Sequence, residues 1–424
     1  MPIPDHLPRL LTISLWDFSW YTRTGPGEPF VDLDTAFAQA VDRGYNTVRI
    51  CAMPYLLFGS GLDTTALTFT GFGNGYGQGT RWYDLGASAT LDGREHLLDL
   101  FRAAHRHDCH VILSSWEYQQ SPAFLADDSW HRGLSAVPPH MRVDVLADAL
   151  ADCVDFLIEN GLDDRIAFVE IHNEVQLGGL TAAVAAGESA VLGLRPLLER
   201  GIDRFRNRHP TRLITANYAG VPVGEMRGLP RNADVAVFHP YVYGVLGELI
   251  DTFALRDPDR PFPQAQVSEQ LLLDDAPLLT EWAPDSACRW KFDATMVGAR
   301  EVYAHDWCDP DRWDRWLYER YAHHRCGMAQ TLSLWIAAAA DWAADHDVPL
   351  VFGEGWVGYT PLRATFEDGP VGAQICREAT TAARQAGAWG AVVCSNAAPH
   401  HPMWSDVALQ AEINAAFAAT APED

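Results

Sequence analysis

Two short runs carry the side chains best suited to chemistry, Asn173-Glu174 and Gly353-Glu354-Gly355-Trp356. Two carboxylic acids about 5–5.5 Å apart can cleave a glycosidic bond with retention, one protonating the leaving oxygen while the other attacks the anomeric carbon. Either run alone carries little weight, because surface glutamates are common. Their positions strengthen the case: each lies at or toward the end of a β-rich run, so both carboxylates would reach one rim if those runs are strands of one barrel. Glu174 is then expected to be the acid/base, begun in its protonated form by the charge of its neighbour. Glu354 is expected to be the nucleophile, held ionised beside a cation and hydrogen-bond donors. Once Glu354 has formed a glycosyl-enzyme, that repulsion vanishes and Glu174 can serve as the base that activates water. Asn173 would hydrogen-bond the sugar 2-hydroxyl, a contact that strengthens in the transition state.

The elements that must position these groups read as alternating strands and amphipathic helices. Strands are expected at 11–18, 46–54, 109–118, 165–174, 212–220, 234–243, 349–359 and 390–398. Apolar residues at helical spacing mark helices at 94–108, 141–161 and 371–387. Eight βα units with no detached polar linker predict an α/β chain, residues 1–424 forming a single (β/α)8 TIM barrel rather than an open doubly wound sheet. Two elaborations, at about 55–93 and 245–310, both follow strands and so fall on the catalytic face as long loops. The first contains the Gly- and aromatic-rich run 71–84. Trp16, Trp20, Trp116, Trp282 and Trp356 stand at or near strand ends, where indole rings could stack on the apolar faces of sugars. Trp116 and Trp356 are the first choices.

Composition narrows the partners. The chain has 31 basic and 56 acidic residues, a formal charge of −25, which repels nucleic-acid phosphates and anionic membrane surfaces. A neutral small oligosaccharide is the natural substrate, with no nucleic acid and no membrane as partner, and nothing in the sequence bears on oligomeric state. No Gly-rich phosphate fingerprint follows the first strand, so no cofactor is expected. The start lacks the pattern of a secretory signal and no stretch is long and apolar enough to span a bilayer, so the expected location is cytoplasmic. The eight cysteines lack C-x-x-C spacing and read as free thiols. No metal is expected: His105, His107 and His110, the pair His323 and His324, and the pair His400 and His401 lack the strand-borne spacing of a metal-dependent barrel and read as surface or capping residues. Asp306, Asp309, Asp311 and Asp314, with Asp127 and Asp128, read as solvated faces and helix caps.

The carboxylate pair at the fourth and seventh strands resembles clan A of the glycoside hydrolases, and family 5, the cellulase and mannanase family, in particular. The run RGYNTVRI (43–50) is similar to that family's second-strand signature, whose arginine maps to Arg49, and HPYVY (239–243) to its sixth-strand His-x-Tyr, mapping to His239 and Tyr241. The resemblance implies that these line the cleavage subsite. A guanidinium near Glu354 would keep it ionised and a tyrosine hydroxyl could orient it, although Arg49 could also neutralise a buried Glu170. The chain departs from the family pattern at Val175, where a proline is common, at Trp116-Glu117, where a histidine is frequent, and in an eighth strand without the usual tryptophan. Glu117, Ser395, Asn396 and Trp404 are left as candidates for sugar contacts. The phrases at 14–30, 48–63 and 114–121 look like a subgroup containing bacterial intracellular β-mannosidases. That resemblance implies an exo-acting enzyme that releases mannose from Man-β-1,4-GlcNAc. A β-glucosidase, or an endo-glucanase or mannanase of the same clan, is the near alternative, and a non-catalytic sugar-binding barrel the alternative of another class.

Overall fold

In a computed structural model, which describes residues 3–419 apart from 74, 285 and 359, eight strand positions make up the barrel. They are β1 (Leu11–Asp17), β2 (Thr47–Cys51), β3 (His110–Ser114), β4 (Ile166–Glu170), β5 in two pieces (Ile214–Thr215 and Asn217–Ala219), β6 (Ala236–His239), β7 (Leu350–Phe352) and β8 (Gly390–Val392). Asn74 of the Gly-rich run, and Tyr359 at the end of the expected seventh strand, lie outside the described residues. Every pairing between neighbours is parallel. The first piece of β5 pairs with β4 and the second with β6, so the ring closes across Ala216 as a (β/α)8 TIM barrel.

Strands covered on both faces read as continuous apolar runs, and all seven residues of β1 are buried. Alternation then divides the two sides: Ile112 joins Ile13, Phe168, Val237 and Val351 in one buried cluster, while Val111 and Leu113 pack in the other. Helices α1 (Leu33–Asp42), α2 (Gly93–Arg106), α3 (Arg142–Glu159), α4 (Ala190–Arg208), α5 (Pro310–Asp345) and α6 (Pro370–Gln385) cross between strands, and α7 (Val407–Ala418) follows β8. Asp32, Asp92, Asp309 and Asp406 start four of them by accepting first-turn N–H bonds. The crossover from β5 to β6 holds only a short 3-10 segment, Val223–Gly228.

The strands stop sooner than expected. The fourth ends at Glu170 rather than 174, and the seventh at Phe352 rather than 359. Glu174 itself has φ +43°, a left-handed conformation that a strand excludes. The carboxylates therefore sit on tight turns just beyond the ladder.

The two elaborations meet over the barrel mouth. The first carries a hairpin pairing Leu67–Phe69 with Ala89–Leu91. The N–H groups of Gly77 and Gly79 donate to Asp306 in the second elaboration at 2.7 and 2.8 Å, so Asp306 is a loop anchor rather than a solvated face, and burial pushes its carboxyl up to about 6. Buried Arg81 ties the same loop to the segment after β7, donating to the Thr360 carbonyl at 3.0 Å and pairing with Asp368 at 2.5 Å. At Gly79 the approach is so close that a Cβ would fall 2.1 Å from the His305 carbonyl oxygen. Gly79→Ala should therefore lift this loop while leaving the barrel intact. The expected result is trypsin cleavage after Arg81, resisted by the wild type, with an unchanged circular dichroism spectrum; equal resistance in the variant would contradict the anchoring role.

Candidate active site

Arg49, on β2 and pointing into the barrel, has a fully buried side chain. Its Nε and Nη2 donate to Glu170 Oε2 at 2.9 and 2.6 Å, its Nη1 to Glu354 Oε1 at 2.7 Å, and Nη2 also to Asn173 Oδ1 at 2.7 Å. Both contacts considered for it are thus made at once. Burial works against its charge, but Glu170 and Glu354 more than offset this and raise its pKa. The Trp116 ring lies beneath the guanidinium, 4.6 Å from centroid to carbon.

Glu354, two residues past β7, takes its second hydrogen bond from the Tyr241 hydroxyl, 2.8 Å from Oε2. Ser395 Oγ lies 2.5 Å from the same hydroxyl. Opposite stands Glu174, whose backbone N–H is held by Asn217 Oδ1 at 2.5 Å in its left-handed turn. Glu174 Oε2 accepts from Gln119 Nε2 at 3.0 Å. Burial pushes its carboxyl up to about 6, with the Gln119 amide and the Arg49 and Arg256 charges pulling it down. The main cause is thus burial rather than the expected repulsion by Glu354.

His239 joins the pair: its Nδ1 is 3.3 Å from Glu174 Oε1 and 3.6 Å from Glu354 Oε1. Burial, opposed by Glu354, pushes the imidazole down to about 4, so it is neutral at pH 7. Among the described residues Glu174, His239 and Glu354 are the one group whose atoms, within 4.8 Å of one another, could hold an ion.

Glu174, Glu354 and Tyr241 line a cavity of about 930 Å³ together with Asn173, Trp116, Gln119 and Asn396, whereas Arg49 and His239, expected to touch the sugar, lie outside its lining and reach it only through the two carboxylates. Both elaborations contribute walls, the first through Thr80, Arg81 and Trp82, the second through Arg256 and the stretch 296–301, and Trp335 of α5 reaches in as well. Other expected sugar contacts lie elsewhere. Trp16 points outward from β1, opposite to Leu15 and Asp17 of the cavity wall, and packs on Phe30 and Phe37. Trp20 donates to the Cys51 carbonyl at 3.0 Å and stacks on His96. Trp356 is buried with its indole N–H on the Val392 carbonyl at 3.2 Å. Trp282 packs against Tyr76, Phe292 and Tyr303 within the elaborations. Glu117 accepts from the Tyr55 and Leu56 N–H groups at 3.1 and 2.9 Å, clamping the turn after β2, and Trp404 lies over Arg43. These rings and this carboxyl serve packing around the barrel and within the elaborations, which strand-end position alone does not reveal. All eight cysteines are free, and no helix among the described residues is long and apolar enough to cross a membrane.

The sequence reading missed Gln119, Trp82, Trp335, Tyr243 and Arg256. Gln119 and Trp82 stand in runs it had singled out, SSWEYQQS and 71–84, but which side chain turns inward depends on the loop path. Trp335 sits on a helix whose ring could equally have been core.

A family model described as cellulase-like, sugar-binding cellulase-like, matches residues 13–224. That half of the chain carries Arg49, Gln119, Asn173 and Glu174. No curated protein matches the sequence. Among solved structures, a candidate glycoside hydrolase from Parabacteroides distasonis is similar with a TM-score of 0.67 and 18% identity, over 96% of this chain and 93% of that one. A tri-modular family 5 (subfamily 4) endo-β-1,4-glucanase from Bacillus licheniformis has a TM-score of 0.50 and 12% identity, over 97% of this chain and 60% of that one. At such identities the likeness is one of fold.

Proposed function

The chain belongs to the sugar-binding cellulase-like family, and from that premise we propose that it is a retaining exo-β-glycosidase, a β-mannosidase releasing mannose from short β-1,4-linked oligosaccharides such as Man-β-1,4-GlcNAc. The observation that carries this reading is the placement of Glu354, clamped by Arg49 and Tyr241, across from Glu174. One oxygen of each carboxylate lies within 4.8 Å of the other. Retention uses carboxyls about 5–5.5 Å apart, whereas inversion needs about 6.5–9.5 Å to admit a water between sugar and base.

In this reading the Glu354 carboxylate attacks the anomeric carbon as Glu174 passes its proton to the departing oxygen. The bond to the leaving sugar breaks, and a mannosyl ester on Glu354 forms. Glu174, now ionised, takes a proton from water, whose oxygen displaces Glu354 and restores both groups. Asn173, held by Arg49 and Gln119, presents its amide where the 2-hydroxyl would lie. The cavity suits a short saccharide, and the loop pinned by Arg81 and Asp306 supports exo action by walling one side. The choice of mannose rests on the resemblance of the stretches 14–30, 48–63 and 114–121.

The test compares release of sugar from p-nitrophenyl β-mannoside, p-nitrophenyl β-glucoside and Man-β-1,4-GlcNAc without added metal, with the first-formed anomer read by proton NMR. The expected result is mannose release, on the disaccharide as well as the aryl mannoside, with β-mannose appearing first. Turnover of the glucoside alone would reassign the sugar, α-mannose first would replace retention by inversion, and sugar binding without turnover of any substrate would favour a non-catalytic barrel.

A further inference from the structure

Gln119, buried in the turn after β3, links the two halves of the site, and the role assigned to it rests on the reading of Glu174 as acid/base. A guanidinium has only donors, so the group that faces Arg49 Nη2 at 2.7 Å must be the oxygen of the Asn173 amide. Its NH2 is thereby turned toward Gln119 Oε1, 2.8 Å away. Gln119 in turn can offer only its NH2 to Glu174 Oε2, at 3.0 Å. The hydrogen bonds therefore run without a break from Glu354 through Arg49, Asn173 and Gln119 to Glu174. Their direction is set by the one member that cannot accept, which fixes the orientation of both amides.

We propose that Gln119 is the positioning residue of the acid/base: it reserves Oε2 of Glu174 as an acceptor, so that the transferable proton is carried on Oε1, and it ties the orientation of Glu174 to the guanidinium that holds Glu354. A donor fixed on Oε2 concentrates the charge there, and Oε1 carries the proton toward His239 Nδ1, 3.3 Å away, which accepts it in the tautomer protonated at Nε2. Oε1 is also the oxygen turned toward the nucleophile, since His239 Nδ1 lies between it and Glu354 Oε1 at 3.3 and 3.6 Å. The same donor favours the ionised form that the second step requires, against the burial that raises Glu174 to about 6. The charged and titratable groups facing Glu174 are Arg49 from β2, His239 and Tyr241 from the end of β6, Tyr243 and Arg256 from the segment beyond, and Glu354 after β7. None of these charged groups is held by Gln119, so Gln119→Met removes the donor to Glu174 Oε2 and the acceptor of the Asn173 amide while the charges around Glu174 stay in place.

Gln119→Met and the isosteric Gln119→Glu separate positioning from a merely structural role. The Glu174 carboxyl is titrated by carbon-13 NMR, its signal identified by its loss in Glu174→Gln, and kcat/KM on Man-β-1,4-GlcNAc is followed against pH. The expected midpoint for Glu174 rises by about one pH unit in Gln119→Met, and further in Gln119→Glu, where a second carboxyl faces the first. The alkaline limb of kcat/KM moves up with it and the acid limb stays. An unmoved midpoint in both variants, or a uniform loss of rate with both limbs in place, overturns the proposal; if Gln119→Met does not fold, the isosteric variant decides. The NMR titration needs no turnover. A wild type that hydrolyses no glycoside therefore defeats the proposed function, while the relay still stands or falls on the Glu174 midpoint.

Discussion

Glu354→Ala should lower kcat/KM by roughly ten-thousandfold or more on every glycoside the wild type cleaves, because without the carboxylate there is nothing to form the covalent intermediate. The fold should survive, since Arg49 keeps Glu170 and Asn173 as partners. The substitution also leaves a methyl-lined gap beside a guanidinium that has lost one anion, which is a place for a small anionic nucleophile. Added azide is expected to enter it, attack the anomeric carbon from the face that Glu354 used, and restore turnover of an activated aryl β-mannoside. The product would be α-mannosyl azide, identified by NMR, since one displacement inverts what two retain. Glu174→Ala should behave differently, losing most of its rate on the disaccharide, whose leaving group needs a proton, and far less of the first step on an aryl mannoside. Near wild-type activity in Glu354→Ala, or rescue that gives the β-azide, would remove Glu354 as the nucleophile.

The order of elements was legible because a parallel barrel buries both faces of its strands. Apolar runs such as 46–54 and 109–118, with amphipathic helices between them, need no tertiary knowledge to be seen. That Glu174 and Glu354 would come together was legible for a related reason: neither run carries weight alone, but two carboxylates that follow strand-like runs of one barrel share its rim. The distances that bring them together with Arg49, His239 and Tyr241 were not, since they depend on barrel closure, to which the split β5 contributes through Ala216. The tryptophans show the limit most clearly. Trp16 lies within β1 and Trp116 two residues past β3, and one fills the space behind β1 while the other faces the cavity, because strand alternation sets the first direction and the local turn the second. Trp82 and Trp335 illustrate the converse: each reaches the cavity from a loop or helix whose register only the packed structure supplies. The upward shift of Glu174 was expected from the charge of Glu354, whereas burial is its main cause, and the depth of burial cannot be read from a sequence.

Arg49→Met should be strongly destabilising, costing about 3–5 kcal/mol, because it strands a buried carboxylate instead of merely removing a contact. Glu170 is fully buried; Arg49 supplies both hydrogen bonds to its Oε2, and Oε1 has no partner among the described residues. Methionine fills much of the arginine stem's volume, so packing is nearly conserved and the loss is electrostatic. Two consequences separate this from a cavity effect. Glu170→Gln placed in the Arg49→Met background should recover most of the lost stability, since a neutral amide costs far less to bury than a carboxylate, and the double-mutant cycle should show strong coupling. The deficit should also depend on pH with a definite sign. A buried carboxylate deprived of its cation is driven to bind a proton, so the folded variant holds more protons than its unfolded chain, and stability falls as pH rises. Denaturant midpoints measured from pH 5 to pH 8 should therefore diverge from the wild type with increasing pH in Arg49→Met, and much less in Arg49→Met/Glu170→Gln. A deficit that is flat across this range and untouched by the second substitution would assign Arg49 to packing, and would leave the shared guanidinium without the electrostatic role that joins Glu170, Asn173 and Glu354.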